Sequence, residues 1–243
     1  MLKKHLQFSV AYVIIFIGQI LMLTNSGIVN LVLEDFHYII KPLIIISLII
    51  FYVYHTQLSG RFAKRIFVGL LFGLMGDVFL MFVAKKQSFF MFGLVAFLIG
   101  HLWYVSAFYL DYKWSPATER RATWFALIVF GVFCIGFYLY LRPYLNEMKI
   151  PVMIYAFVVS LMAMMAVNRK GRVNGGSFNL IFIGAIFFLI SDSVLAYNKF
   201  VIPFKGADIV IISTYMLAQY LITIGAVERK LKKHAVIERE NKF

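Results

Sequence analysis

Asp77 and Asp192 each lie deep inside a long run of nearly uncharged apolar residues. A carboxylate at the middle of a spanning helix costs about 2.5–3.5 kcal/mol on insertion scales, and such residues almost always face a bundle interior or a wet cavity. Asp77 follows Arg65 by 12 residues, about 18 Å at the rise of an α-helix, and Asp192 follows Ser177 by 15, about 22 Å. Similar depth on two different helices is what a shared site requires. Two carboxyls in one poorly solvated cavity cannot both ionise cheaply. The pair therefore offers a protonated general acid beside a charged general base. That combination suits acid-catalysed cleavage through an oxocarbenium-like state, as two carboxyls achieve in glycosidases.

Other polar side chains interrupt the apolar runs. Phe97, His101, Tyr104 and Phe108 follow one another at helical spacing on one face, and His101 reads as orienting a carboxylate or a water, or as a plain interior residue. No second histidine lies within the apolar runs, which argues against a histidine metal site, since catalytic zinc takes about three protein ligands. Cys134 is the single cysteine and forms no internal disulfide or CxxC pair. No metal or cofactor is implied. Lys41 beside Pro42 reads either as a snorkelling lysine or as an anion contact at a cavity mouth, for a phosphate or for one aspartate. Tyr155 follows Pro151 by one turn, and Tyr215 and Gln219 share a helix face. Each is interhelical glue or cavity lining. Ser191 flanks Asp192 and is grouped with the cavity residues. No GxSxG elbow, HExxH pair, Walker loop or GxGxxG is present.

The elements that must position these residues follow from composition. The 243 residues are 62% hydrophobic and only 14% charged, with a mean hydropathy of +0.86. A soluble domain is about 45–50% apolar and about 25% charged. The reading is an all-α integral membrane protein, a single transmembrane domain over 1–243. Eight spans are expected, at 6–24, 39–55, 66–84, 88–110, 123–141, 150–168, 178–197 and 207–227. With the amino terminus inside, the inner segments carry 17 Lys and Arg and the outer loops 6, which fits the positive-inside rule with both termini cytoplasmic. The first span, 19 apolar residues without a convincing cleavage site, reads as a helix and not as a signal peptide. The net charge of +13 is a matter of topology and anionic headgroups, not of nucleic acid. The pattern G-x-x-F-x-L-x-x-D-x-x-L occurs at 69–80 and again at 184–195. It reads as chance among apolar residues or as a 4+4 parallel repeat, with the aspartates as symmetry mates across a central cavity.

Six landmarks in order resemble the YhhN family: Lys41-Pro42-Leu43, Gly76-Asp77-x-x-Leu80, His101-x-x-Tyr104, Pro151-Val152-x-x-Tyr155, Ser191-Asp192-x-x-Leu195-Ala196 and Ala218-Gln219-x-Leu221-Ile222. The resemblance is read as covering the whole eight-span bundle, with landmarks in six of the spans, and implies a lysoplasmalogenase-like hydrolase. Such an enzyme cleaves the vinyl ether of a lysophospholipid to a fatty aldehyde and a glycerophospho-alcohol. The resemblance carries the catalytic role to Asp77 and Asp192. The residues alone leave open which aspartate is the acid, the headgroup preferred and the oligomeric state. They also leave open a proton-coupled transporter, since intramembrane carboxylates and tandem repeats serve that class too. Against it, every proline is read at a span end or in a loop.

Overall fold

The structure is a computed structural model describing residues 5–24, 34–114 and 120–232. The chain ends, 1–4 and 233–243, lie outside the described residues. Eight α-helices follow in order: α1 Leu6–Thr24, α2 Glu34–Thr56, α3 Gly60–Met81, α4 Ser88–Trp114, α5 Arg120–Leu141, α6 Lys149–Val167, α7 Gly175–Phe200 and α8 Ala207–Val227. Among the described residues the only β feature is an isolated bridge between Val173 and Leu231. Six helices are long and apolar enough to cross a membrane, and α2 contributes a shorter apolar stretch at Ile40–Thr56. The outer surface is apolar, with Ile14, Ile128, Val132, Ile154 and Phe157 among its exposed side chains. Closed backbone hydrogen bonding within each helix makes such a surface tolerable in lipid. The chain is a multi-pass integral membrane protein built as an all-α bundle.

Several helices outrun the spans read from hydropathy. The first turns of α2 and α3 are polar, so an apolar window starts late while the backbone is already helical. The proline expectation is corrected here: Pro42 lies inside α2, with Lys41 beside it. Lacking an N–H, Pro42 leaves the carbonyl four residues earlier without its helical donor.

Two hairpins form the tightest packing, α3 on α4 and α7 on α8. Glycines permit it. A Cβ on Gly100 would stand 3.2 Å from the Gly69 carbonyl, and one on Gly184 would stand 3.0 Å from the Ala218 carbonyl. The remaining contacts follow one plan in both halves. α2 lies on α3 and reaches α8; α6 lies on α7 and reaches α4. α1 covers α2, and α5 covers α6. Asp77 and Asp192 both stand 17 residues beyond the first residues of their helices, Gly60 and Gly175. Tyr104 and Gln219, themselves 115 residues apart, hydrogen-bond to each other at 2.8 Å.

One end of the bundle is clamped by charge. Asp111 of α4 accepts from Arg169 Nε at 2.8 Å and from Arg229 Nε at 2.7 Å. Arg169 also donates to Ser177 Oγ at 2.9 Å, and Ser177 donates to the Gly225 carbonyl at 2.6 Å. Burial lowers the pKa of the Arg169 guanidinium, and Asp111 opposes that shift. The backbone after α8 is tied to the α6–α7 connection by Lys232 N to Arg172 O and Asn174 N to Lys230 O, both 3.0 Å. These ties hold Arg229 in place above the Phe62 ring, 4.1 Å away.

Candidate active site

Asp77 is 2% exposed. Its Oδ2 accepts a hydrogen bond from the Tyr215 hydroxyl of α8 at 2.7 Å. Gly73, one turn earlier on α3, makes room for this contact: a Cβ there would stand 2.9 Å from Gln219 Nε2 and 3.5 Å from the Tyr215 hydroxyl. Gln219 Nε2 in turn donates to the Tyr215 hydroxyl at 3.4 Å, and its Oε1 accepts from Tyr104. Lys41 on α2 is near enough for its charge to act on Asp77. The Asp77 carboxyl thus heads a buried polar ladder drawn from α3, α4 and α8, with the Lys41 charge of α2 acting on it.

Asp192 has a different setting. Its Oδ2 accepts from the Tyr155 hydroxyl of α6 at 2.9 Å. His101 Nε2 lies 3.6 Å from the same oxygen, and neither ring nitrogen of His101 has a hydrogen-bond partner. The imidazole is wedged edge-on between Tyr155, at 5.5 Å between ring centres, and Phe188, at 4.6 Å. The Asp192 side chain remains 11% exposed, because it borders two narrow clefts. One, about 410 Å³ including its open mouth, runs between α4, α6 and α7 past Phe90, Phe97 and Leu195. The other, about 290 Å³, runs between α5, α6 and α7 past Phe133 and Phe137. Val152, Tyr155 and Ala196 line both. Apart from Asp192 and a few hydroxyls, the walls are apolar, which suits a hydrocarbon chain.

The residues singled out by sequence fall into two groups. His101 and Tyr155 gather at Asp192; Lys41, Tyr104, Tyr215 and Gln219 gather at Asp77. Ser191 belongs to neither, because its Oγ donates to the Ile211 carbonyl at 2.9 Å and fastens α7 to α8. The two carboxyls share no hydrogen bond. Phe188 stands between their groups, meeting His101 on one side and Tyr215 at 5.5 Å on the other. Phe97 also meets Tyr215, at 5.7 Å, while lining the larger cleft. Gly73 shares a small-residue face with Gly69 and Asp77 in the sequence, and the structure packs that face against Gln219 and Tyr215; sequence reasoning passed over Phe188, although the repeat alignment sets it opposite Gly73.

Among the described residues no three His, Cys, Asp or Glu side chains converge as metal ligands. The arrangement is one of carboxyl, phenol and imidazole around an apolar slot, a set suited to proton transfer.

The YhhN family model matches residues 36–226. A human protein named lysoplasmalogenase TMEM86A is 33% identical over 200 residues, covering 79% of this chain and 78% of the relative. Human lysoplasmalogenase TMEM86B is 32% identical over 180 residues, covering 72% and 69%. A Mycobacterium tuberculosis protein named lysoplasmalogenase is 27% identical over 167 residues, covering 68% and 61%. No solved structure matches.

Proposed function

The chain belongs to the YhhN family, and from that premise we propose that it is a membrane hydrolase of lysoplasmalogen. It cleaves the vinyl ether to a fatty aldehyde and a glycerophospho-alcohol. The observation that carries this reading is Asp192, a carboxyl opening onto apolar, lipid-facing clefts with a tyrosine and an unpartnered histidine beside it. A single-chain lipid lies along the cleft with its ether oxygen at that depth. At the mouth, Lys199 sits 5.0 Å over the Phe90 ring and meets the phosphate. Of the two anions Lys41 could contact, a phosphate or an aspartate, it serves Asp77.

The chemistry balances with water alone. Protonated Asp192 gives its proton to the β-carbon of the double bond, and the ether oxygen's electrons form an oxocarbenium ion. Water adds to the α-carbon and loses a proton to the carboxylate system. The hemiacetal then collapses to aldehyde and alcohol. His101 and Tyr155 orient the Asp192 carboxyl. Asp77, with a lysine charge in reach and a phenol donating to it, is suited to carry negative charge and stabilise the cation.

The wider framework is also proposed. All eight helices span the bilayer, with both ends of the chain on the arginine-rich cytoplasmic side. The two halves form a 4+4 parallel repeat, supported by the matching helix starts and neighbours. A proton-coupled carrier is not favoured, since the relatives bear enzyme names. The test is aldehyde release by purified protein in detergent from a lysoplasmenyl lipid, beside its saturated 1-alkyl and 1-acyl analogues. The vinyl ether alone is expected to turn over. The alkyl ether, which forms no such cation on protonation, should inhibit competitively. Ester cleavage at a comparable rate would overturn the two-carboxylate mechanism.

A further inference from the structure

Hydrolysis consumes one water per turnover, yet the clefts beside Asp192 are walled by rings and aliphatic side chains. A polar route to the aspartates exists elsewhere. Tyr215, Gln219 and Thr223 follow one another at four-residue steps down one face of α8. Tyr215 meets Asp77, Gln219 meets Tyr215, and Tyr104 meets Gln219. Tyr52 of α2 packs in the same buried cluster as Tyr104 and Phe62, and Arg229 lies 4.1 Å over the Phe62 ring. Arg229, held by Asp111, lines an open cavity of about 760 Å³ including its mouth, together with Ser59, Arg61 and Phe62.

Two hydroxyls along this route, Tyr52 Oη and Thr223 Oγ1, are buried and have no hydrogen-bond partner among the described residues. A buried hydroxyl left unpaired costs about 1–3 kcal/mol. Ordered water satisfies such groups in polar interiors. Here Thr223 follows Gln219 by one turn of α8 and precedes Arg229 by six residues, and Tyr52 shares its buried cluster with Tyr104 and Phe62.

We propose that water reaches Asp77 along this internal column, from the cavity at Arg229 past Tyr52, Thr223, Tyr104 and Gln219, while the lipid arrives separately through the clefts. The use made of the water rests on the hydrolase reading; the hydration of the column does not. Co-substrates entering from opposite sides keep the lipid chain from displacing the attacking water. They also keep bulk water from the cleft until a substrate fills it.

The experiment is X-ray radiolytic footprinting of the intact protein in detergent, in which hydroxyl radicals born from resident water oxidise adjacent side chains. Tyr52 and Tyr104 are expected to be oxidised at least tenfold faster than Phe108 and Phe188, which are equally buried. Equal rates would overturn the column. In a second arm, Thr223→Val and Tyr52→Phe remove the unpaired hydroxyls and keep the shape. Each is expected to lower kcat several-fold at unchanged KM, and unchanged kcat in both would count against the column. A wet column in a protein that turns over no lysoplasmalogen would overturn the hydrolase reading and leave the column standing.

Discussion

The two aspartates occupy matching places in matching hairpins and live in opposite surroundings. Asp77 is enclosed, faces a lysine and receives a phenol from α8. Asp192 borders two apolar clefts and receives its phenol from α6. The divergence traces to two exchanges of small for large. Gly73 leaves a gap that Tyr215 and Gln219 fill; its counterpart 115 residues on is Phe188, which fills the gap itself and parts the two groups. The counterpart of Tyr215 on α4 is Gly100, which holds its helix against the Gly69 carbonyl and has no side chain to offer. Asp192 therefore turns to Tyr155, and His101 comes alongside. Two hairpins of matching geometry need little more than this to make one carboxyl accessible and the other sheltered.

The largest effect that tests this contrast is loss of either carboxyl. Asp77→Asn and Asp192→Asn should each lower kcat by about 10²–10⁴, the range of positioned acid and base groups. The double variant should cost little more than one, because residues acting as a unit are not additive. Independent, multiplying losses in aldehyde release would break the pair into two unrelated sites.

A third carboxyl serves as the structural reference. Asp111→Asn leaves two guanidiniums without their shared anion, and stability should fall by about 3–5 kcal/mol. Thermal melting in detergent should show this early unfolding for Asp111→Asn and not for Asp77→Asn. Equal melting losses would make Asp77 a packing residue.

The next effect separates the roles within the pair. A hydrogen bond to a charged group contributes about 1.5–3 kcal/mol and one between neutral groups about 0.5–1.5. Tyr215→Phe should therefore lower kcat by about 10–100-fold and Tyr155→Phe by about 2–10-fold. The reverse order would exchange the acid and the charge-bearing partner. The smallest expected change is at the cleft mouth, where Lys199→Gln should raise KM by up to about fivefold with kcat held, as an exposed charge contact of up to about 1 kcal/mol allows. A fall in kcat instead would place the headgroup elsewhere.

Membrane insertion depends on the composition of one helix at a time, so the sequence alone settles that the chain is an apolar helical bundle. It also marks Asp77 and Asp192, because a carboxyl in an apolar run has a cost visible without any neighbour. The grouping around each could not be read that way. Tyr215 lies 138 residues from Asp77, and Tyr155 lies 37 from Asp192. Which phenol meets which carboxyl depends on which helix faces meet. The same limit hid the clamp at Asp111, whose guanidiniums come from 58 and 118 residues away. Both arginines read as solvated topology signals, because a charge next to a helix end looks the same in sequence whether it points to water or inward. Only the packing of α4, α7 and α8 turned Arg169 into a fully buried cation, and only the gap left at Gly73 and filled at Phe188 decided which aspartate is enclosed and which borders the apolar clefts.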